Sequence, residues 1–190
     1  MRKIIPWNVV ESRRVINHPF IRVIEDVLEH PDDGRSYKYY YLASHSHAVA
    51  TVALTNEGNV VLTRQYRHPV GRIIYDLPAG RTDRGEEAIE AARRELREET
   101  GYEAGEMVHL GFYNQFPGAV QAGTNLFLAR DLTPGPQNLD DNEDIEVIEI
   151  PFRAIVKRIT EGEFIDGSLQ LGVLLVLAKG LGPKSDQRAG

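Results

Sequence analysis

The stretch from Gly80 to Tyr102 constrains this chain more than any other part of it. A loop with two glycines, Gly80 and Gly85, runs into a segment whose apolar residues Ala88, Ile89, Ala92 and Leu96 recur at helical spacing. Residues 86–100 are therefore predicted to form an amphipathic helix, with Gly101 as its natural stop. On such a helix Glu95, Glu98 and Glu99 are related by i+3 and i+4, so three carboxylates share one face. Like charges placed this way repel, and a hard divalent cation such as Mg²⁺, which prefers carboxylate oxygen, water and phosphate, resolves the repulsion. Glu86, Glu90, Arg94 and Glu98 form an i, i+4 ladder in which Arg94 can pair with a carboxylate on either side. Gly80 and Gly85 permit the tight loop before the helix. The carbonyl of Ala79, at the junction of strand and loop, is a further candidate oxygen ligand.

Strand patterns surround this helix. Residues 20–28 and 36–42 read as a hairpin closed by Pro31-Asp32-Asp33-Gly34, and residues 48–54 and 60–66 as a second one closed by Asn56-Glu57-Gly58-Asn59. A short strand over 73–77 is stopped by Pro78, which cannot donate to a ladder. Strands are predicted again at 107–113, 125–129 and 146–150, then helices at 152–160 and 168–179. Two long loops, 114–123 and 133–144, carry no periodicity, which is common for functional loops. The order of strands, helix, strands and helices implies an α/β (α+β) fold with a mixed sheet and helices on its faces.

At 190 residues, 42% hydrophobic and 26% charged, the chain suits one soluble domain with a short accessory element. The division expected is a β-rich N-terminal extension over 1–45, a catalytic domain over 46–182 and a flexible tail over 183–190. A net charge of −6 argues against a nucleic-acid partner, which would need an extended basic face. The absence of cysteine excludes disulfides, zinc thiolates and a cysteine nucleophile, and it suits a reducing compartment. The N-terminus has no apolar signal-like run, and the apolar run from Leu169 to Ala178 is about half of what a bilayer span requires. A cytoplasmic protein without membrane contact is expected. His45 and His47 could share a strand face, but no third ligand is near them in sequence.

The segment Gly80, Glu86, Arg94-Glu95-Leu96, Glu98-Glu99, Gly101 resembles the Nudix box, and it departs from that pattern only at Tyr102, where an aliphatic residue is more usual. The resemblance implies the Nudix fold, an α/β/α sandwich whose loop–helix–loop binds Mg²⁺ or Mn²⁺. It implies Glu95, Glu98 and Glu99 as metal ligands with the Ala79 carbonyl, and Gly80, Glu86, Arg94 and Gly101 as structural members of the motif. Bound metal would neutralise a substrate diphosphate and activate water for in-line displacement at phosphorus.

Further residues resemble the ADP-ribose and nucleotide-sugar pyrophosphatase subgroup. Pro117 stands 15 residues after Tyr102, a position typical of that subgroup. The acidic run Leu139 to Val147 resembles its catalytic loop, with Glu143 first choice as base or additional metal ligand and Asp141 and Glu146 behind it. Arg67, in Gln65-Tyr66-Arg67-His68-Pro69, matches the arginine that clamps substrate phosphate, a task for which its fork is suited. The N-terminal extension implies a homodimer. Tyr39 and Tyr41, on one strand face with Tyr40 on the other, are candidates for stacking on a nucleobase, as is Phe20. The implied substrate is a small nucleotide, ADP-ribose or a nucleoside diphosphate sugar. Alternatives are pyrophosphate removal from RNA 5′ ends, cleavage of another dinucleotide, and a ligand-sensing Nudix module without catalysis.

Overall fold

Two runs of β-branched and small apolar residues, β4 (Ala48–Leu54) and β5 (Asn59–Arg67), form the centre of the larger of two units in the computed structural model, which describes residues 4–44 and 46–183. The smaller unit comprises residues 1–45 with the loop 114–123, and the larger one 46–113 with the chain from Thr124 onward. His45 and all of the expected tail except Pro183 lie outside the described residues.

The smaller unit is an antiparallel meander of β1 (Asn8–Asn17), β2 (Arg22–Glu29) and β3 (Ser36–Ala43), in the order β1-β2-β3. The hairpin turn at 31–34 is where the turn residues predict it. β1 was not foreseen: every residue in it is exposed, and Glu11, Arg13 and Arg14 leave no alternation to read. Its pairing with β2 is irregular at two places, between Val9 and Glu11 and between Arg14 and Ile16. The loop 114–123 is tied to β3 by backbone bonds, Leu42 N–H to the Ala119 carbonyl (2.8 Å) and Gln121 N–H to that of Leu42 (2.9 Å). Glu25, 4% exposed, accepts from Arg13 (2.6 Å), Lys38 (3.2 Å) and the Tyr40 hydroxyl. These donors hold its carboxyl down at about 2, the Arg13 bond contributing most and burial opposing. Trp7 packs edge-on against His30 and Tyr37, with Arg35 over its ring.

The larger unit adds β6 (Arg72–Asp76), β7 (Ala79–Arg81), α1 (Ala88–Thr100), β8 (Glu103–Tyr113), β9 (Thr124–Thr133), β10 (Glu146–Pro151), α2 (Phe152–Thr160) and α3 (Gly167–Ala178). Its seven-stranded sheet runs β10-β5-β4-β9-β8, with β6 on β5 and β7 on β4; β4 and β9 are parallel and the other pairs antiparallel. Because side chains alternate along a strand, β4 serves both faces. Val49 and Ala53 meet Ala91, Ala92 and Leu96 of α1. Ala50, Val52 and Leu54 meet Phe152, Ile155, Leu169, Val173 and Val176 of α2 and α3. The result is a mixed sheet between one helix and two, the α/β/α sandwich that the resemblance implies.

The predicted helix at 86–100 begins at Ala88, because residues 83–86 form a turn closed by the Glu86 N–H on the Asp83 carbonyl (3.1 Å). The strands read at 107–113 and 125–129 extend to Glu103 and Thr133, where their pairing continues although the apolar pattern has ended. α3 is mostly apolar but only 12 residues long, and among the described residues no helix is long and apolar enough to cross a membrane.

Candidate active site

Burial of Ala91, Ala92 and Leu96 against the sheet fixes how α1 is rotated, and with it where the acids fall. Arg94 is the hub of the first group. Its Nε and Nη2 donate to the two Glu86 oxygens (3.0 and 3.1 Å), its Nη1 to Glu95 (2.8 Å) and Glu98 (3.1 Å), and its Nη2 also to the Arg81 carbonyl (2.9 Å). This differs from the predicted ladder: Glu86 reaches Arg94 from the turn before the helix, not from within it, and Glu90 is not among its partners. Arg94 holds the Glu86 carboxyl below its ordinary range, aided by the Asp83 N–H, and Glu86 in turn raises Arg94. At Gly80 an added Cβ would lie 2.0 Å from the Glu95 carboxyl carbon, so only glycine allows that carboxylate to pack on the loop backbone.

Glu99 is different in kind. It is 4% exposed, and its carboxylate accepts from the Ala79 N–H (2.9 Å). Burial pushes its carboxyl up to about 8 against the pull of that N–H; Glu95 and Glu143 add to the rise and Arg67 opposes it. Burial also raises Glu95, with Arg94 opposing. Gly101 then ends the helix at φ +77, a conformation that disfavours any residue with a Cβ, and packs against the carbonyl of Gly135.

The acidic loop is stapled to this helix end. Asn138 N–H donates to the Glu98 carbonyl (2.9 Å), and the Gln137 amide donates to the carbonyls of Glu99 (2.6 Å) and Ile145 (3.4 Å). Beyond the staple a turn pairs the Glu143 N–H with the Asp140 carbonyl (2.9 Å) and the Asp140 N–H with the Glu143 carboxylate (3.1 Å). Glu143 is exposed yet near enough to act electrostatically on Glu95 and Glu99. Asp141 is exposed in the same turn, whereas Glu146 is bound by Arg64 across β10 and β5 (2.6 Å). Arg67, at the end of β5, donates through Nε to one oxygen of Asp76 (2.8 Å), with Nη2 2.6 Å from the same oxygen in the ion pair. Burial raises the Asp76 carboxyl, with Arg67 opposing. Asp166 caps α3 through the Leu169 N–H (2.7 Å); burial raises its carboxyl most, with Asp76 adding to the rise and Arg67 opposing.

The remaining candidates belong to the smaller unit. Tyr39 and Tyr41 are half-buried, the Tyr39 hydroxyl donating to the Gly118 carbonyl, while Tyr40 takes the opposite face toward Glu25. Phe20 is 80% exposed beside the His18 ring, and Pro117 is exposed in the turn at 116–119. His47 is on the larger unit, its ring packed on Phe112. Sequence reasoning missed Asp76, Asp166 and Gln137. An acid inside the apolar run 73–77 and an acid two residues before Ser168 were signals for the first two; a lone glutamine gave none.

Among the described residues no three carboxylates or histidines are gathered into a finished metal cage, because Glu95 and Glu98 turn toward Arg94 and Glu99 toward Ala79. The donor set nevertheless fits a hard divalent cation: oxygen ligands only, one of them a nearly buried carboxylate crowded by two others. With an arginine fork beside it, the set can hold a polyphosphate and present an acid to an attacking water.

Comparison with known proteins gives concordant results. The family model described as the NUDIX domain matches residues 45–167. The chain is 34% identical over 145 residues to an ADP-ribose pyrophosphatase of Bacillus subtilis (strain 168), covering 75% of this chain and 77% of that protein. It is 35% identical over 134 residues to a GDP-mannose pyrophosphatase of Escherichia coli, covering 64% and 69%. It is 29% identical over 175 residues to a methanol dehydrogenase activator of Bacillus methanolicus, covering 91% and 94%. A crystal structure of an ADP compounds hydrolase shares the fold, with a TM-score of 0.86, 23% identity, and coverage of 96% of this chain and 99% of that one.

Proposed function

This chain belongs to the Nudix family, as one of its pyrophosphatases, and on that premise we propose that it hydrolyses the diphosphate bond of ADP-ribose or a nucleoside diphosphate sugar. The products are a nucleoside monophosphate and a sugar phosphate, and the cofactor is Mg²⁺ or Mn²⁺. The observation that carries this reading is the nearly buried Glu99, held by a single backbone donor, with Glu95 and Glu143 acting on it electrostatically and Arg67 opposing them. Glu95, Glu98 and Glu99, with the Ala79 carbonyl, would hold the metal, which when bound neutralises the diphosphate and activates water. Glu143 takes the proton from the attacking water, with Asp141 and then Glu146 as the next candidates. Arg67 binds a phosphate through its free N–H edge. Glu86 and Arg94 hold the acids of α1 in register, and Gly80 and Gly101 allow its two ends to close.

On this reading the smaller unit forms a homodimer and supplies Tyr39, Tyr41 or Phe20 to the nucleobase, with Pro117 shaping the loop beside them. The enzyme works in the cytoplasm on a small nucleotide. The test is a substrate panel with Mg²⁺ in ¹⁸O-labelled water, comprising ADP-ribose, GDP-mannose and other nucleotide sugars, a dinucleotide, and triphosphorylated RNA. Release of AMP and ribose 5-phosphate, or of the corresponding sugar 1-phosphate, is expected. Failure of every diphosphate substrate overturns the reading, and preferred turnover of RNA replaces it. Because similarity to the methanol dehydrogenase activator spans most of the chain, a methanol dehydrogenase assayed with and without the protein belongs in the same panel.

A further inference from the structure

Asp76 is 3% exposed, and one of its carboxylate oxygens, Oδ1, is buried without a hydrogen-bond partner. The other, Oδ2, accepts from Arg67 Nε–H (2.8 Å) and lies 2.6 Å from Nη2 in the same ion pair. A carboxylate kept for stability alone would have both oxygens satisfied, since a buried acceptor left unpaired is costly and a buried ion pair is seldom a net gain. The cost needs another explanation. Three facts supply one. The Asp76 backbone is fixed in the β5–β6 hairpin, where it faces Thr63 and its carbonyl receives the Thr63 hydroxyl (3.4 Å). The side chain of Arg67 is 43% exposed while that of Asp76 is 5% exposed, so the clasped edge of the fork is turned inward and the rest outward. The clasp is the Nε hydrogen bond and the Nη2 ion-pair contact, and among the described residues Nη1 has no hydrogen-bond partner.

We propose that Asp76 is a positioning residue: its single-oxygen clasp holds the Arg67 guanidinium in one orientation and leaves the Nη1 edge presented to the diphosphate of the substrate. This rests on the reading of the chain as a nucleoside diphosphate pyrophosphatase. An unclasped arginine would sample many rotamers and lose entropy on binding, which the clasp spends in advance. Lysine at 67, a point charge without a fork, could not be held and still present an ordered edge.

The test is calorimetric binding of ADP-ribose to the full chain in EDTA, where no turnover occurs, for wild type, Arg67→Ala, Asp76→Asn and the double variant. Both single variants are expected to weaken binding by about tenfold or more. The double variant is expected to be no weaker than Arg67→Ala alone, since Asp76 acts only through Arg67. With Mg²⁺, Asp76→Asn is expected to raise KM more than it lowers kcat. Unaltered binding by Asp76→Asn, or effects of the two variants that simply add, overturns the proposal while leaving the function intact. If wild type binds no ADP-ribose or nucleotide sugar in EDTA, the proposal falls, and the function falls with it only if the substrate panel with Mg²⁺ fails as well. Should Asp76→Asn not fold, the ¹⁵N resonance of the Arg67 Nε–H in wild type decides: a slowly exchanging proton that shifts on adding ADP-ribose is expected, and a freely exchanging one refutes the clasp.

Discussion

Glu99 and Glu25 show two ways for a carboxylate to be buried. Glu99 has one backbone donor and two acidic neighbours, so replacing it by glutamine removes a charge the fold tolerates poorly. Glu99→Gln is expected to abolish turnover by orders of magnitude while raising the melting temperature of the metal-free protein by a few degrees. Calorimetry and the product assay check the two halves separately. Glu25 has three donors from neighbouring strands and a folded pKa of about 2 against an ordinary value of 4.5. A depressed folded pKa gives stabilisation that is complete above the unfolded value and is lost as pH falls through the folded one. Glu25→Gln should therefore destabilise the three-stranded sheet at neutral pH, the deficit vanishing between about pH 4.5 and 2. Trp7, the single tryptophan, packs within that sheet, so its fluorescence follows the transition directly. The box acids were legible because helical spacing alone puts 95, 98 and 99 on one face. Asp76 was not legible as a partner of Arg67, because nothing in a sequence announces which acid a hairpin will fold back onto an arginine nine residues before it.

Two elements carry the geometry of the site, and each has a weak point. α3 crosses the sheet closely at Gly172, where an added Cβ would lie 2.8 Å from Val52 Cγ2 and 3.2 Å from Leu77 Cδ1. Val52 is fully buried and β-branched and cannot yield, so Gly172→Ala is expected to cost about 1–3 kcal/mol in chemical denaturation despite the better helix propensity of alanine. The acidic loop depends on Gln137, and Gln137→Ala should loosen it: a loss of about 1 kcal/mol in stability, and a fall in kcat of roughly tenfold or more if Glu143 drifts from the attacking water. Amide exchange at 138–143 faster than in wild type is the accompanying sign. Of the elements, α1, α2, β4 and β5 were legible from periodicity because each buries a patterned face. β1 was not, since an exposed strand is selected by its partner's edge and leaves no pattern of its own. α1 starts two residues later than its acidic composition implies because the Asp83 turn competes for the first backbone donor.

For the whole molecule, light scattering at micromolar concentration should give the mass of a homodimer, and a monomer mass would remove the role proposed for the smaller unit. Nothing in the sequence marks the loop 114–123 as belonging with residues 1–45 rather than with the strands it interrupts. That discontinuity has a consequence for how the protein is made. On the ribosome the N-terminal meander emerges long before the ten residues that complete its unit, and those residues arrive only after β8 has been synthesised. The meander is thus not complete until residue 123, and an unfinished β-sheet with an all-exposed strand must wait while β4 to β8 are made. Grafting the extension onto another scaffold, or trimming it away at residue 45, would each leave one partner of that late-closing pair behind.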